Sequence, residues 1–187
     1  MENIKIQLHQ QWLHGTGGQQ LDIADEEFND LILKEEDLNT AVFSNTKFIS
    51  GTFSSLNLGG SSFFNCTFSS VNFEHCFLRK CEFHGCTFRS CVFSEDEITK
   101  AEFYDTVIES CTFRKVKLGL SHFGDCYVSD TTFESAELDG LTFIDSKFKA
   151  VDFKNAEFST VYPVKINDHV NIITIDQLKT TIKAFNE

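Results

Sequence analysis

The chain has 187 residues, a formal net charge of −12 and no apolar run near the ~20 residues that a membrane span requires. That length suits one domain with a real core, and the excess of acid disfavours direct binding to nucleic acid or to an anionic membrane. Seven cysteines make an odd count and MENIKIQLHQQWLHG has no signal-peptide pattern, so the expectation is a cytoplasmic protein with reduced thiols.

Residues 1–20 read as an N-terminal helical cap. Ile4, Leu8 and Trp12 recur at helical spacing, and the glycines of GTGG stop the helix.

From residue 21 the pattern changes. Every fifth residue from Ile23 to Phe158 is large and apolar, most often one of the 21 phenylalanines. A helix repeats at about 3.6 and a strand at about 2, so this period needs a chain that turns a corner every five residues. Two positions before each centre lies a second inward slot, mostly small, and all seven cysteines fall in it. The centres Leu38, Leu58, Leu78, Ile98, Leu118 and Leu138 are aliphatic, while those between them are dominated by Phe. A period of twenty therefore rides on the period of five and marks one of four faces. The span 21–160 then makes about seven coils, ~34 Å tall at ~4.8 Å per stacked layer. Gly59, Gly60, Gly119 and Gly140 lie at related corners of the aliphatic face, for close backbone approach or, more simply, for turns with positive φ. Glu26, Glu36 and Asp96 break the small-slot rule. A buried carboxylate needs donors, so Asp96 is expected to turn outward or to accept backbone N–H bonds, with a local bend in SEDEI.

Units such as FSNTK, FFNCT, FHGCT and FKNAE resemble the pentapeptide-repeat family from about Leu21 to Ser159. The resemblance implies an all-β solenoid, a right-handed quadrilateral β-helix with four pentapeptides per coil.

CEFHGCTFRSCVF, residues 81–93, is the stretch that most suggests chemistry. Cys76, Cys81, Cys86 and Cys91 ring one coil and point inward, where phenyl and isobutyl groups fill the space that a tetrahedral zinc would need. They read as small core residues and as free thiols, although Cys66/Cys86 and Cys91/Cys111 stand one coil apart at a spacing that geometry alone would let a disulfide bridge. The six histidines show no HExxH pairing, and no GxSxG, P-loop or GxGxxG is present. The expectation is a protein that is not an enzyme and has no cofactor and no metal.

Outward positions of a solenoid should be polar, so apolar ones are informative. Phe64, His84, Tyr104 and Ile144 share one column, and Val107 and Tyr127 form the next column round the corner. Asp105, Asp125 and Asp145 lie between them. Tyrosine inside a rim of charge is a common hot-spot composition, and simple cross-coil stacking is the other explanation of the column.

The five-residue phase ends at Pro163. Residues 161–187 read as a C-terminal cap, with an extended segment at Val170–Ile173, a capping box formed by Thr174 and Gln177, and a helix at about 175–186 carrying Ile175, Leu178, Ile182 and Phe185. That helix either seals the last coil or forms a homodimer interface. The whole chain reads as a non-enzymatic protein-binding antagonist, an immunity or protection protein that masks a toxin or its target. The resemblance adds an alternative, a DNA mimic that binds DNA gyrase or another type II topoisomerase, and a passive assembly scaffold remains the third reading.

Overall fold

The computed structural model describes residues 3–158, the strands Val164–Ile166 and His169–Ile172, and Gln177. Between 21 and 158 the chain climbs as a four-sided solenoid, each residue pairing in parallel register with the residue twenty further on, as Phe83 does with Phe103. Seven strands stack on the first face, with centres running from Ile23 to Phe143. The second face runs from Phe28 to Phe148 and the third from Leu33 to Phe153. The fourth, from Leu38 to Phe158, has only single bridges such as Asn57↔Phe77↔Glu97.

The five-residue unit explains each side. The centre of each unit points inward: Phe43, Phe68, Phe88, Phe113 and Phe133 are all buried. Their rings stack coil on coil, Phe73 on Phe93 at 4.5 Å and Phe68 on Phe88 at 4.7 Å, nearly parallel. Burying one such side chain stabilises the fold by about 1.5–3 kcal/mol, and an aromatic pair adds about 0.5–1.5 kcal/mol. The last residue of the unit takes positive φ at nearly every corner, for instance Asn45 (49°), Asp105 (50°) and Leu120 (59°). An L residue is disfavoured there by roughly 1–2 kcal/mol. The hydrogen bond from each corner N–H to the next coil, such as Asp25 N to Ser44 O at 3.0 Å, holds it in place.

The small slot carries the vertical hydrogen bonding. A hydroxyl or thiol there donates to the carbonyl of a centre in the preceding coil: Ser61 Oγ to Leu38 O (2.8 Å), Cys76 Sγ to Phe53 O (3.2 Å), Cys86 Sγ to Phe63 O (3.3 Å) and Ser121 Oγ to Ile98 O (2.6 Å). All seven cysteines are buried free thiols.

The aliphatic face differs for a visible reason. Its corners close β-turns, with Ser61 N–H donating to Leu58 O and Leu141 N–H to Leu138 O, and positive φ falls at the third turn residue, the type II signature. The four glycines divide between the two explanations. Gly60 and Gly140 have positive φ. Gly59 lies under the Phe77 ring, where a Cβ would stand 3.2 Å from Cε1, and a Cβ on Gly119 would stand 3.2 Å from the Asp139 carbonyl.

The N-terminal helix, Asn3–Leu13, caps one side of the first coil. Its inward edge is Ile6 and His9, not the Ile4–Leu8–Trp12 stripe; Ile4 is 57 % and Trp12 40 % exposed. His9 decides this orientation, because its ring lies between two backbone groups: Nδ1 accepts Leu21 N–H at 2.9 Å and Nε2 donates to Asn39 O at 3.0 Å. After the helix the chain doubles back, Gln19 N–H donating to Leu8 O, and any Cβ on Gly18 would run into that carbonyl. The cap is partial. Phe28 and Leu31 stay half-buried and Glu26 is exposed on the uncovered side.

Asp96 stays inward. It is 1 % exposed, and its Oδ1 accepts the Cys76 N–H at 2.6 Å. SEDEI makes no special bend: Glu95 has the ordinary corner φ of 58°, and Glu97 bridges Phe77 and Lys117 as its equivalents do.

At the far end Val164–Ile166 pairs antiparallel with His169–Ile172 and lies beside Thr142–Ile144, where an eighth coil would begin. The expected helix at 175–186 falls outside the described residues except for Gln177.

Candidate protein-binding face

The first face is a flat parallel sheet whose outward side chains form three columns. The aromatic column stands in the middle. Phe64, His84 and Tyr104 stack at 5.5 Å per step with rings inclined by 16°. The stack ends because position 124 is glycine. The Tyr104 ring lies across Gly124, so close that a Cβ there would stand 2.7 Å from two ring carbons, and His122 packs against Tyr104 at 5.1 Å. Ile144, 43 % exposed, continues the column beyond Gly124.

Carboxylates flank this stripe on both sides. Asp105, Asp125 and Asp145 occupy the corner on one side, all with positive φ, which Asp tolerates better than most residues. Glu82 and Glu102 stand one coil apart on the other side. Nearer the N-terminus the same corner holds Asp25, Asn45 and Asn65, laced by amide hydrogen bonds of 3.0 and 3.4 Å. Round the corner Val107 pairs with Tyr127, and Tyr127 with Lys147.

The sequence places Phe64, His84, Tyr104, Asp105, Asp125, Ile144 and Asp145 on one face, and the coil geometry brings them together. Val107 and Tyr127 are their neighbours across the edge, and Tyr127 is 40 % exposed. Glu82, Glu102 and His122 were missed. The signal was available in the twenty-residue column 82–102–122, but a search for exposed apolar residues passes over it. His122 Nδ1 lies 2.6 Å from Thr142 Oγ1, and His84 Nε2 lies 3.8 Å from Glu82 Oε2.

The wider finding is electrostatic. Between residues 21 and 158 no Lys or Arg stands on the first face. On the other faces cations and carboxylates mix and pair along the columns: Lys47 with Glu27 (3.2 Å), Arg89 with Glu109 (3.1 Å), Lys115 with Glu95 (3.3 Å) and Lys154 with Glu134 (2.8 Å).

The thiols are poorly placed for chemistry. Burial pushes Cys76 up to about 11 and Cys126 up to about 12, and raises Cys81 as well, so each is held as the un-nucleophilic thiol. Among the described residues no group of three or more His, Cys, Asp or Glu side chains could hold a metal ion, and no helix is long and apolar enough to cross a membrane.

A quadrilateral β-helix with one aromatic-striped face that bears carboxylates and no Lys or Arg is a scaffold of repeats. Residues 66–95 match the family model described as "Pentapeptide repeats (8 copies)". The same five-residue register runs without a slip through the solenoid on either side of that match. No curated protein matches the chain. Among solved structures it is similar to HetL, a pentapeptide repeat protein involved in heterocyst differentiation regulation from the cyanobacterium Nostoc sp., at 7 % identity over 81 % of this chain and 90 % of that one, TM-score 0.40. It is similar to full-length QnrB1, a plasmid-mediated fluoroquinolone resistance protein, at 17 % identity over 84 % and 98 %, TM-score 0.31. A third is a pentapeptide repeat protein of the Arabidopsis thaliana thylakoid lumen, at 14 % identity over 66 % and 68 %, TM-score 0.27. Likenesses at these identities and scores bear on no partner and no activity.

Proposed function

We propose that this protein is a non-enzymatic binder that docks a basic protein surface on its first face and so acts as an antagonist of that partner. The observation that carries the reading is the segregation of charge: an acidic face without a single Lys or Arg on a solenoid whose other faces mix both signs. A long, flat, one-signed face attracts a surface of the opposite sign and speeds encounter with it. The aromatic stripe inside the acidic rim supplies apolar contact area.

The partner surface that best fits a rigid row of carboxylates is one built to receive nucleic-acid phosphates, which makes DNA mimicry at a type II topoisomerase the leading form of the antagonism. A second form, an immunity protein masking one toxin, is favoured by the exposed apolar groups Phe64, Tyr127 and Ile144 on and beside this face. A gyrase supercoiling assay separates the two, run with the wild type beside a Tyr104→Ala, Asp105→Lys, Tyr127→Ala variant. Inhibition by the wild type alone supports mimicry through this face. No inhibition at tens of times the enzyme concentration removes gyrase and leaves the dedicated partner.

A further inference from the structure

The small slot has a rule that Asp96 half obeys. Its threonines make one vertical bond each, Thr46 and Thr106 by donating and Thr131 by accepting, and its serines make two. They accept the N–H of the residue twenty before, as Ser61 Oγ does from Ala41 (3.1 Å), Ser121 Oγ from Ala101 (3.0 Å) and Ser146 Oγ from Cys126 (3.2 Å). They donate to the carbonyl twenty-three before, as Ser61 does to Leu38, Ser121 to Ile98 and Ser146 to Phe123. Asp96 Oδ1 makes the first bond, to Cys76 N at 2.6 Å. Its Oδ2 is buried and has no partner among the described residues. The carbonyl twenty-three before it belongs to Phe73, and a carboxylate has no proton to offer it.

We propose that Asp96 sits in the folded solenoid as a neutral carboxylic acid that donates Oδ2–H to the Phe73 carbonyl, and that its ionisation releases the fourth coil, a pH-operated opening built into the core. The charged groups around it do not stabilise the anion. Glu74 and the thiol of Cys76 face it from the preceding coil, and Glu95 and Glu97 flank it in its own. From the following coil Arg114 bonds Ser94 Oγ at 2.9 Å, Lys115 pairs with Glu95 and Lys117 lines the same hollow as Asp96, and from the preceding coil His75 lies 3.6 Å from Glu95; among the described residues none of these cations forms an ion pair with Asp96. Burial is the main cause that pushes the carboxyl up to about 7; the Cys76 and Ser94 backbone groups pull it down and the Glu74 charge adds to the rise.

The sign follows from proton counting. Between an unfolded value of about 3.9 and about 7 the native state holds a proton that the unfolded chain has lost. Stability contributed by this residue therefore falls as pH rises through that window and is level above it. Because each coil of a repeat solenoid contacts only its neighbours, the loss is local. The loosened run, Asp96 to Lys100, leads directly into Glu102 and Tyr104 at the centre of the candidate face.

The test follows the Asp96 carboxyl carbon by NMR from pH 3 to pH 9, with hydrogen exchange at the Cys76 amide, in the wild type, Asp96→Ser and Asp96→Asn. Serine can make both slot bonds at any pH, and the asparagine amide can do the same. The expected result is a carboxyl still neutral at pH 5.5, and a Cys76 protection factor that falls by up to tenfold per pH unit above pH 4 in the wild type and stays flat in a variant. A carboxyl already ionised at pH 5.5 overturns the proposal. So does a variant whose Cys76 protection follows the same pH course as the wild type, and asparagine serves for that comparison if the serine variant does not fold.

Discussion

At the scale of single residues, the interior is governed by whether each polar atom finds its partner. The cysteines find theirs in the carbonyls of the preceding coil, and burial keeps reagents from all seven, so the folded protein should react with none of its seven thiols in a disulfide-exchange reagent at pH 8 while the denatured chain reacts with all of them. A fast-reacting thiol in the native protein would contradict that packing. His9 shows the same principle with the opposite pH sign. Its Nδ1 must be an acceptor for Leu21 N–H, so the docked ring is neutral; burial depresses its pKa against the opposing pull of the Asn39 carbonyl and Asp37. The unfolded chain binds this proton more readily, so the contribution of His9 is complete above about pH 6.5 and is lost as pH falls below that value. Exchange at the Leu21 amide, corrected for its intrinsic rate, should quicken between pH 7.5 and pH 5 in the wild type and show no such step in His9→Gln.

At the scale of elements, the coil is set by sequence wherever the five-residue period holds, and the candidate face depends on it. The centres, the slot, the four faces and the columns of the first face follow from counting alone. What counting does not reach depends on partners far along the chain. The helix stripe Ile4–Leu8–Trp12 has perfect spacing, yet Ile4 and Trp12 are exposed, because two backbone groups at Leu21 and Asn39 claim His9 instead. Asp96 looks like a misfit until a proton is allowed in the core. Glu82 and Glu102 matter only as the far rim of a stripe recognised by its aromatic residues. Gly124 is the element-level hinge of that stripe, since it gives Tyr104 its resting place. Gly124→Val should dislodge the ring, because a Cβ would stand 2.7 Å from it, while valine suits the strand itself. The expected outcome is a change of Tyr104 and His122 side-chain NMR shifts with melting temperature altered by only a few degrees, equivalent to about 1 kcal/mol. Unchanged Tyr104 shifts would mean that the ring does not lie there.

At the scale of the whole molecule, the separation of charge decides how a partner is met. Acidic residues outnumber basic ones by 28 to 16, yet the molecule is not evenly acidic: the first face takes none of the solenoid's cations, and on the remaining faces Lys47, Arg89, Lys115 and Lys154 form vertical pairs with carboxylates. Exposed pairs of that kind contribute only about 0–1 kcal/mol each, so their main effect is to leave the first face as the outward source of negative potential. Association through that face should be fast at low salt and should slow steeply as ionic strength rises, because the screening length shrinks from ~30 Å at 0.01 M to ~8 Å at 0.15 M. The location can be tested by making one and the same change in net charge at two different places. A variant with Glu82→Lys and Glu102→Lys on the first face should lose most of the salt dependence and slow association by about 10-fold or more at low salt. A variant with Glu109→Lys and Glu134→Lys, on the second and third faces, makes the same change in net charge and should associate nearly as the wild type does. Stopped-flow association with the partner protein reads both, and equal effects of the two variants would mean that net charge, and not this face, steers the encounter.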